Sequence, residues 1–327
     1  MSMKQGLKTV VLLAVGLLIS GATLTSASTG SARRRCGPAG TTRLPYYSLT
    51  SPLNKPIPSV PKLDPASPAM VAGLTDASAN TNHRLIFTMK SYTVPVYSAN
   101  PSTRRRNVSM TAEWASRPFL KRVPIPAKAR PDPSSDGHLA IVDRVGGCEY
   151  DFWQAKRRAN GAWTAGWANV IPLGGRGIFP RGHGARASGF ALLAGLIFPQ
   201  ELRSGHVDHA LAMSYPKTRA GGPKRPASSS DGRSEGPGAI PEGARLQLDP
   251  RLDLSKLSLP RYELVIARAL QIYGAFIVDT GGTISLFAVN PQSYKRNPYA
   301  EMLHDLNAVH LDGIPLDRFR VITPPAP

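Results

Sequence analysis

The pentapeptide Glu149-Tyr150-Asp151-Phe152-Trp153 alternates acidic and aromatic residues. On a strand Glu149, Asp151 and Trp153 then share one face, with the two acidic Cβ atoms roughly 7 Å apart by strand rise. Two carboxylates at that distance beside an indole are the parts of glycoside cleavage: an acid, a base or nucleophile, and a ring on which a sugar stacks. The bland counterpart is a solvated strand face ending in a packed Trp. His209 follows Asp208 in an apolar stretch, and Asp279 closes another. A His polarised by an Asp from a different strand can act as general base in a lyase or hydrolase, although a lone His in an apolar strand is more often a hydrogen-bonded core residue. Asp151, His209 and Asp279 are therefore the candidate catalytic centre, with Glu149, Trp153, Trp167 and Tyr273 as candidate substrate contacts. Convergence weighs the two readings: the enzyme reading gains if Asp151, His209 and Asp279 meet in one cleft and loses if they scatter. Against it, Asp279 before Thr280-Gly281-Gly282 also suits an ordinary hairpin turn.

Other motifs carry less. His206-x-x-His209 has the residue types for a metal, but positions i and i+3 of a strand point to opposite faces, so one ion is not easily shared. The glycines from Gly174 to Gly184 lack the lysine and Ser/Thr of a phosphate loop. No metal and no cofactor is called for.

The elements that must position these residues are mostly strands. Strand candidates are Arg84–Met89, Tyr92–Tyr97, His138–Asp143, Glu149–Gln154, Trp163–Ile171, Val207–Ser214 and Ala244–Asp249. Val145-Gly146-Gly147 joins the third and fourth as a hairpin. Ala275–Asp279 and Thr283–Val289 read as a further hairpin around Gly281 and Gly282. Pro260 opens the one clear helix, in which Tyr262, Ile266, Ala269, Leu270 and Tyr273 recur at helical spacing and Gly274 supplies the stop. A shorter helix is expected over 298–306 with Asn297 as cap, and an extended proline-rich segment over 44–68. Residues 216–241 have loop composition and are expected to be disordered. The fold class is mainly β, a two-sheet, jelly-roll-like β-sandwich with one or two short helices.

The chain has 327 residues, with 40 Lys and Arg against 21 Asp and Glu, for a formal charge of +19. Only 19% of residues are charged, so the balance comes from a shortage of acids rather than a dense basic tail. This excludes a histone-like or wholly disordered chain. The basic segments lack interleaved aromatics, which speaks against specific nucleic-acid recognition. An acidic polysaccharide or anionic envelope polymer would match the charge.

Lys4 and Lys8 precede the apolar run Thr9–Ile19, and small residues follow through Ala27. This is the order of a secretory signal peptide over 1–27, too short to span a bilayer comfortably. Residues 28–44 form a flexible basic lead-in, and 45–327 a single β-rich domain, expected to be an extracellular monomer with no membrane span after cleavage. Export places Cys36 and Cys148 where a disulfide can persist, and the sequence leaves open whether they pair.

The strings Asp136-Gly137-His138, Glu149-Tyr150-Asp151-Phe152-Trp153-Gln154-Ala155, Asp208-His209-Ala210-Leu211, Pro241-Glu242-Gly243-Ala244-Arg245-Leu246, Leu248-Asp249-Pro250 and Ala269-Leu270-Gln271-Ile272-Tyr273-Gly274-Ala275-Phe276-Ile277-Val278-Asp279 follow in that order. Together they resemble a group of secreted, largely uncharacterised bacterial proteins, over about residue 50 to the end. The resemblance implies export and a β-rich, carbohydrate-associated type of domain, and brings no activity with it. The Glu-x-Asp-x-x-Glu pattern of laminarinase-like sandwiches is not completed, because Gln154 stands at its last position. The expected function is a secreted protein that binds a polysaccharide or anionic envelope polymer, with cleavage left open. The alternative is a non-catalytic extracellular structural or adhesion module.

Overall fold

The structure, a computed structural model, describes Cys36, Leu44 and residues 46–76, 84–303 and 308–323. The signal peptide, most of the basic lead-in and the end of the 298–306 segment lie outside the described residues. Among those residues no helix is long and apolar enough to cross a membrane.

The architecture is mainly β with few helices. In chain order the elements are α1 (Ser67–Thr75), β1 (Ile86–Thr88), β2 (Val96–Ala99), β3 (Arg105–Met110), β4 (Phe119–Pro124), β5 (Leu139–Asp143), β6 (Cys148–Trp153), β7 (Lys156–Arg157), β8 (Trp163–Ala165) and β9 (Trp167–Pro172). They continue with α2 (Pro199–Ser204), β10 (Leu211–Tyr215), β11 (Arg245–Leu248), α3 (Arg261–Ile272), β12 (Ala275–Thr280), β13 (Ser285–Phe287), β14 (Ala308–His310) and β15 (Phe319–Ile322). Three sheets result, ordered β14-β1-β13-β10-β12-β11-β15, β2-β5-β6-β9 and β4-β3-β8-β7.

Alternation along β5 and β6 explains the layering. Leu139, Ile141, Cys148, Tyr150 and Phe152 turn to the β4-β3-β8-β7 sheet, where they pack with Val108, Leu120, Val123 and Trp163. Ala140 and Val142 turn the other way, toward Ala212, Phe276, Val278 and Phe287 of the seven-stranded sheet, with Phe190–Phe198 filling the space between. The two four-stranded sheets are thus a face-to-face β-sandwich, and the seven-stranded sheet covers its second side. The far face of that large sheet carries α1 and α3.

The helix stripe is present. Ile266, Ala269 and Leu270 are buried and Tyr262 packs beside them, while Gly274 turns the chain at φ +66°. Leu270→Ala should cost about 2–5 kcal/mol through the cavity left behind, read as a shift in the urea midpoint with the slope unchanged. The hairpin β5–β6 forms as expected, with Val142 opposite Glu149.

The second hairpin does not form. β10 lies between β12 and β13, parallel to the first and antiparallel to the second. The Gly281–Gly282 turn instead crosses the end of β10, where the Gly281 amide donates to the Tyr215 carbonyl and the Ser214 hydroxyl to the Thr283 carbonyl. Residues 298–303 form turns rather than a helix, whereas α1 follows the expected extended segment and α2 stands where no element was expected. The 216–241 segment is pinned rather than free: it makes isolated bridges Thr218–Ile240 and Arg219–Ser234, and the Ser228 amide donates to the Ser188 carbonyl.

Cys36 and Cys148 form a disulfide with Cα atoms 5.3 Å apart and a sequence separation of 112. Closing a loop of that length constrains the unfolded chain by about 4–5 kcal/mol. Reduction should therefore lower the denaturant midpoint by the equivalent amount, measured with and without reductant.

Candidate functional site

Glu149 and Asp151 project from β6 into the space between the sandwich and the large sheet, and both are fully buried. The loop that follows β9 holds them. The Leu193 amide donates to Glu149 Oε1 at 2.9 Å, the Leu192 amide to Asp151 Oδ2 at 2.7 Å, and the Tyr47 hydroxyl to Glu149 Oε2 at 2.6 Å. Asp151 Oδ1 has no hydrogen-bond partner. Burial, with the charge of Glu149 next to it, pushes the Asp151 carboxyl well above the usual carboxylate range. Two like charges this deep cannot both ionise cheaply, and Asp151 is the one that keeps its proton.

The cation that faces this pair is Arg186, itself 2% exposed. Its Nη1 donates to the Ala191 and Ala194 carbonyls at 3.1 and 3.3 Å, and its Cζ lies 4.9 Å from the centroid of the Phe287 ring. Nε and Nη2 are buried without a hydrogen-bond partner. Burial lowers the pKa of the guanidinium, opposed by the charges of Asp279, Asp151, Tyr47 and Glu149. His138 completes the buried layer: burial, and then the charge of Arg186, push it down to about 3, so its imidazole is neutral.

Asp279 forms the open side. It is the last residue but one of β12, where the pairing with β10 slips: Met213 stands opposite Ile277, but Ser214 stands opposite Asp279. Val278 is the extra residue of this bulge. Strict alternation would send Asp279 to the face of Ala275 and Ile277, beneath the helices. The slip pairs it with Ser214, on the face of Ala212, Phe276 and Arg186, which is how a bulge re-aims a side chain.

The Asp279 carboxyl is partly exposed yet closely surrounded by protein, and it makes no hydrogen bond among the described residues. Burial raises its pKa to about 8. Arg186 opposes the rise, and the carboxylates of Glu242, Asp231 and Asp136 add to it. Glu242 is fully buried; it accepts from the Asp231 amide at 3.2 Å through Oε2, its Oε1 has no partner, and burial raises it to about 7. Asp231 is exposed, and its Oδ1 accepts from the Thr280 hydroxyl at 2.7 Å. Asp136 is also raised, by burial and then by Asp132.

Asp151 and Asp279 therefore share Arg186, but His209 belongs elsewhere. Its Nε2 faces Glu201 Oε1 at 3.0 Å and its Nδ1 faces the Ala210 carbonyl at 3.0 Å. Burial lowers its pKa, but Glu201 and the Ala210 carbonyl outweigh that and raise it. With both ring nitrogens engaged by these partners, neither is free to take a proton from a substrate. Glu201 also caps α2 by accepting the Phe198 amide at 2.8 Å, so the His209–Glu201 pair is a strut. His206 is exposed and lies 3.6 Å from Asp208.

The aromatic candidates also divide. Trp153 stacks on Trp114 at the end of β6, and Trp167 lies beneath, buried. Tyr273 caps α3, with its carbonyl bound by Arg245 Nε at 2.8 Å, and has no ring contact with the tryptophans. Sequence reasoning missed Arg186, Glu242, Glu201 and Trp114. Only Glu242 left a signal, as an acid next to a Gly turn and an apolar strand. Comparison with family models, curated proteins and solved structures finds no match to this chain.

Proposed function

We propose that the protein is secreted, binds a polysaccharide or anionic envelope polymer at the mouth beside Asp279, and cleaves it with Asp279 as general acid. The observation that carries this reading is a partly exposed carboxyl, set among other acids and a buried Arg, whose pKa burial raises to about 8. A carboxylic acid kept neutral near pH 7 is what protonation of a glycosidic oxygen requires. In the hydrolysis proposed, the Asp279 proton goes to the leaving oxygen as the bond from the anomeric carbon breaks. Water adds to that carbon and gives its proton to Asp231, the exposed carboxylate across the mouth. Glu242 and Asp136 keep the proton on Asp279, and Arg186 steadies the negative charge that Asp279 acquires. Glu149 and Asp151, beneath, hold the loop that presents Arg186.

The full burial of Glu149 and Asp151 favours a second reading for that pair, in which the protein is a binding or adhesion module and the acids are only internal struts. Reducing-end release decides between the two. The mature protein is incubated with polygalacturonate, alginate, laminarin, xylan and glycol chitin. New reducing ends with the wild type but not with Asp279→Asn support cleavage. Binding to one of these polymers without new ends supports the module.

A further inference from the structure

The stack of indoles at the end of β6 has an outer ring that the fold leaves open to water. Trp114 is 60% exposed. Its ring lies 6.0 Å from that of Trp153, with 30° between planes, and 5.5 Å from that of Trp167. Among the described residues the other large exposed aromatics, Tyr92, Phe119 and Tyr294, have no ring partner.

The lower rings are held firmly. Trp167 Nε1 donates to the His183 carbonyl at 3.0 Å, and the Arg117 guanidinium sits 5.2 Å from the centroid of the Trp167 ring. Gly166 makes room for Trp153: a Cβ there would stand 2.6 Å from Trp153 Cε3. An indole braced from below and open to water above is a contact surface rather than core.

One hydrogen bond links the indole stack to the acids around Asp279. Gln154, next to Trp153, donates its amide to the Asp136 carbonyl at 2.7 Å, and Asp136 is one of the acids that face Asp279. A polymer lying across Trp114 and Trp153 would run toward the Asp279 mouth. The occupant that fits a flat, braced indole at the edge of a carboxyl cleft is a sugar ring, whose C–H face stacks on the indole while its hydroxyls stay in water.

We infer that Trp114 and Trp153 form a carbohydrate-binding subsite that takes a pyranose unit of the polymer, with Trp114 as its principal contact. This rests on the polysaccharide reading above. The test is affinity electrophoresis in native gels containing polygalacturonate, alginate, laminarin, xylan or glycol chitin, run with the wild type, Trp114→Ala and Trp114→Phe.

The wild type should be retarded by at least one polymer. For that polymer the apparent Kd should rise at least tenfold in Trp114→Ala and by much less in Trp114→Phe. Trp114 is exposed, so Trp114→Ala should melt with the wild type. Should it melt early, the comparison passes to Trp114→Phe, which keeps a ring. Equal retardation of Trp114→Ala and wild type overturns the subsite and leaves the polysaccharide reading in place. If no polymer retards the wild type yet new reducing ends appear, the subsite alone falls. If neither occurs, both fall.

Discussion

Asp279→Asn should reduce polymer cleavage by about 10²–10⁴-fold, the usual worth of a positioned general acid, while the protein stays folded. The sign of its stability effect follows from the raised pKa. Unfolded, the Asp279 carboxyl ionises near 4; folded, it holds its proton to about 8. Between those values the native state keeps a proton that the unfolded chain has released, so this residue makes folding less favourable as pH rises through that window. Asn imitates the protonated carboxyl. The melting temperature of Asp279→Asn should therefore match the wild type at pH 4 and exceed it progressively toward pH 8. Cleavage by the wild type should decline above about pH 8 as the acid is lost. A variant that is both inactive and more stable in alkali is the signature of a strained functional group. A purely structural Asp would give an active variant with no such trend.

Arg186→Leu should be the most damaging single change, at about 3–5 kcal/mol, because it leaves buried acids without their cation and the Ala194 carbonyl without its donor. The groups that face Arg186 are Glu149, Asp151, Tyr47, Asp279 and His138. At neutral pH the loss falls mainly on the ionised member of the Glu149–Asp151 pair. In acid those carboxyls take up protons and the missing cation matters less, so the deficit should shrink as pH falls. Because Arg186 holds the pKa of Asp279 down, its removal should also move the alkaline limb of activity upward in any folded fraction. Urea unfolding at pH 7 and pH 4 measures the first effect, and a pH profile the second.

Local patterning made much of this legible. The alternation Glu149, Asp151, Trp153 correctly set one face of β6, the Gly turn before it correctly gave the hairpin, and helical spacing gave α3. What local patterning does not carry is pairing between distant segments. β10 enters between β12 and β13, so a turn that looks like a hairpin joins strands that never touch, and the hairpin explanation of Asp279 goes with it. The bulge at Val278 comes from a slip of one residue against β10, and such a slip exchanges the faces of everything after it. Strict alternation would have placed Asp279 under the helices. His209 was read with an Asp because Asp208 is adjacent, whereas its partner Glu201 comes from α2, a single-turn element with little periodicity of its own. Arg186 sits in a Gly-rich loop, where an arginine ordinarily reads as solvated. Only the folding of that loop between two sheets makes it the centre of a charge cluster. Trp114 lies in the loop between β3 and β4, and only its stacking on Trp153 distinguishes it from any other exposed ring.

The central claim is that the fold holds the partly exposed Asp279 carboxyl protonated near neutral pH. The carboxyl ¹³C chemical shift of Asp279, assigned by comparison with Asp279→Asn and followed from pH 3 to pH 10, measures this directly. The account predicts an inflection near 8, moving higher in Arg186→Leu if that variant folds. An inflection near 4, in the range of an ordinary solvated aspartate, would contradict it.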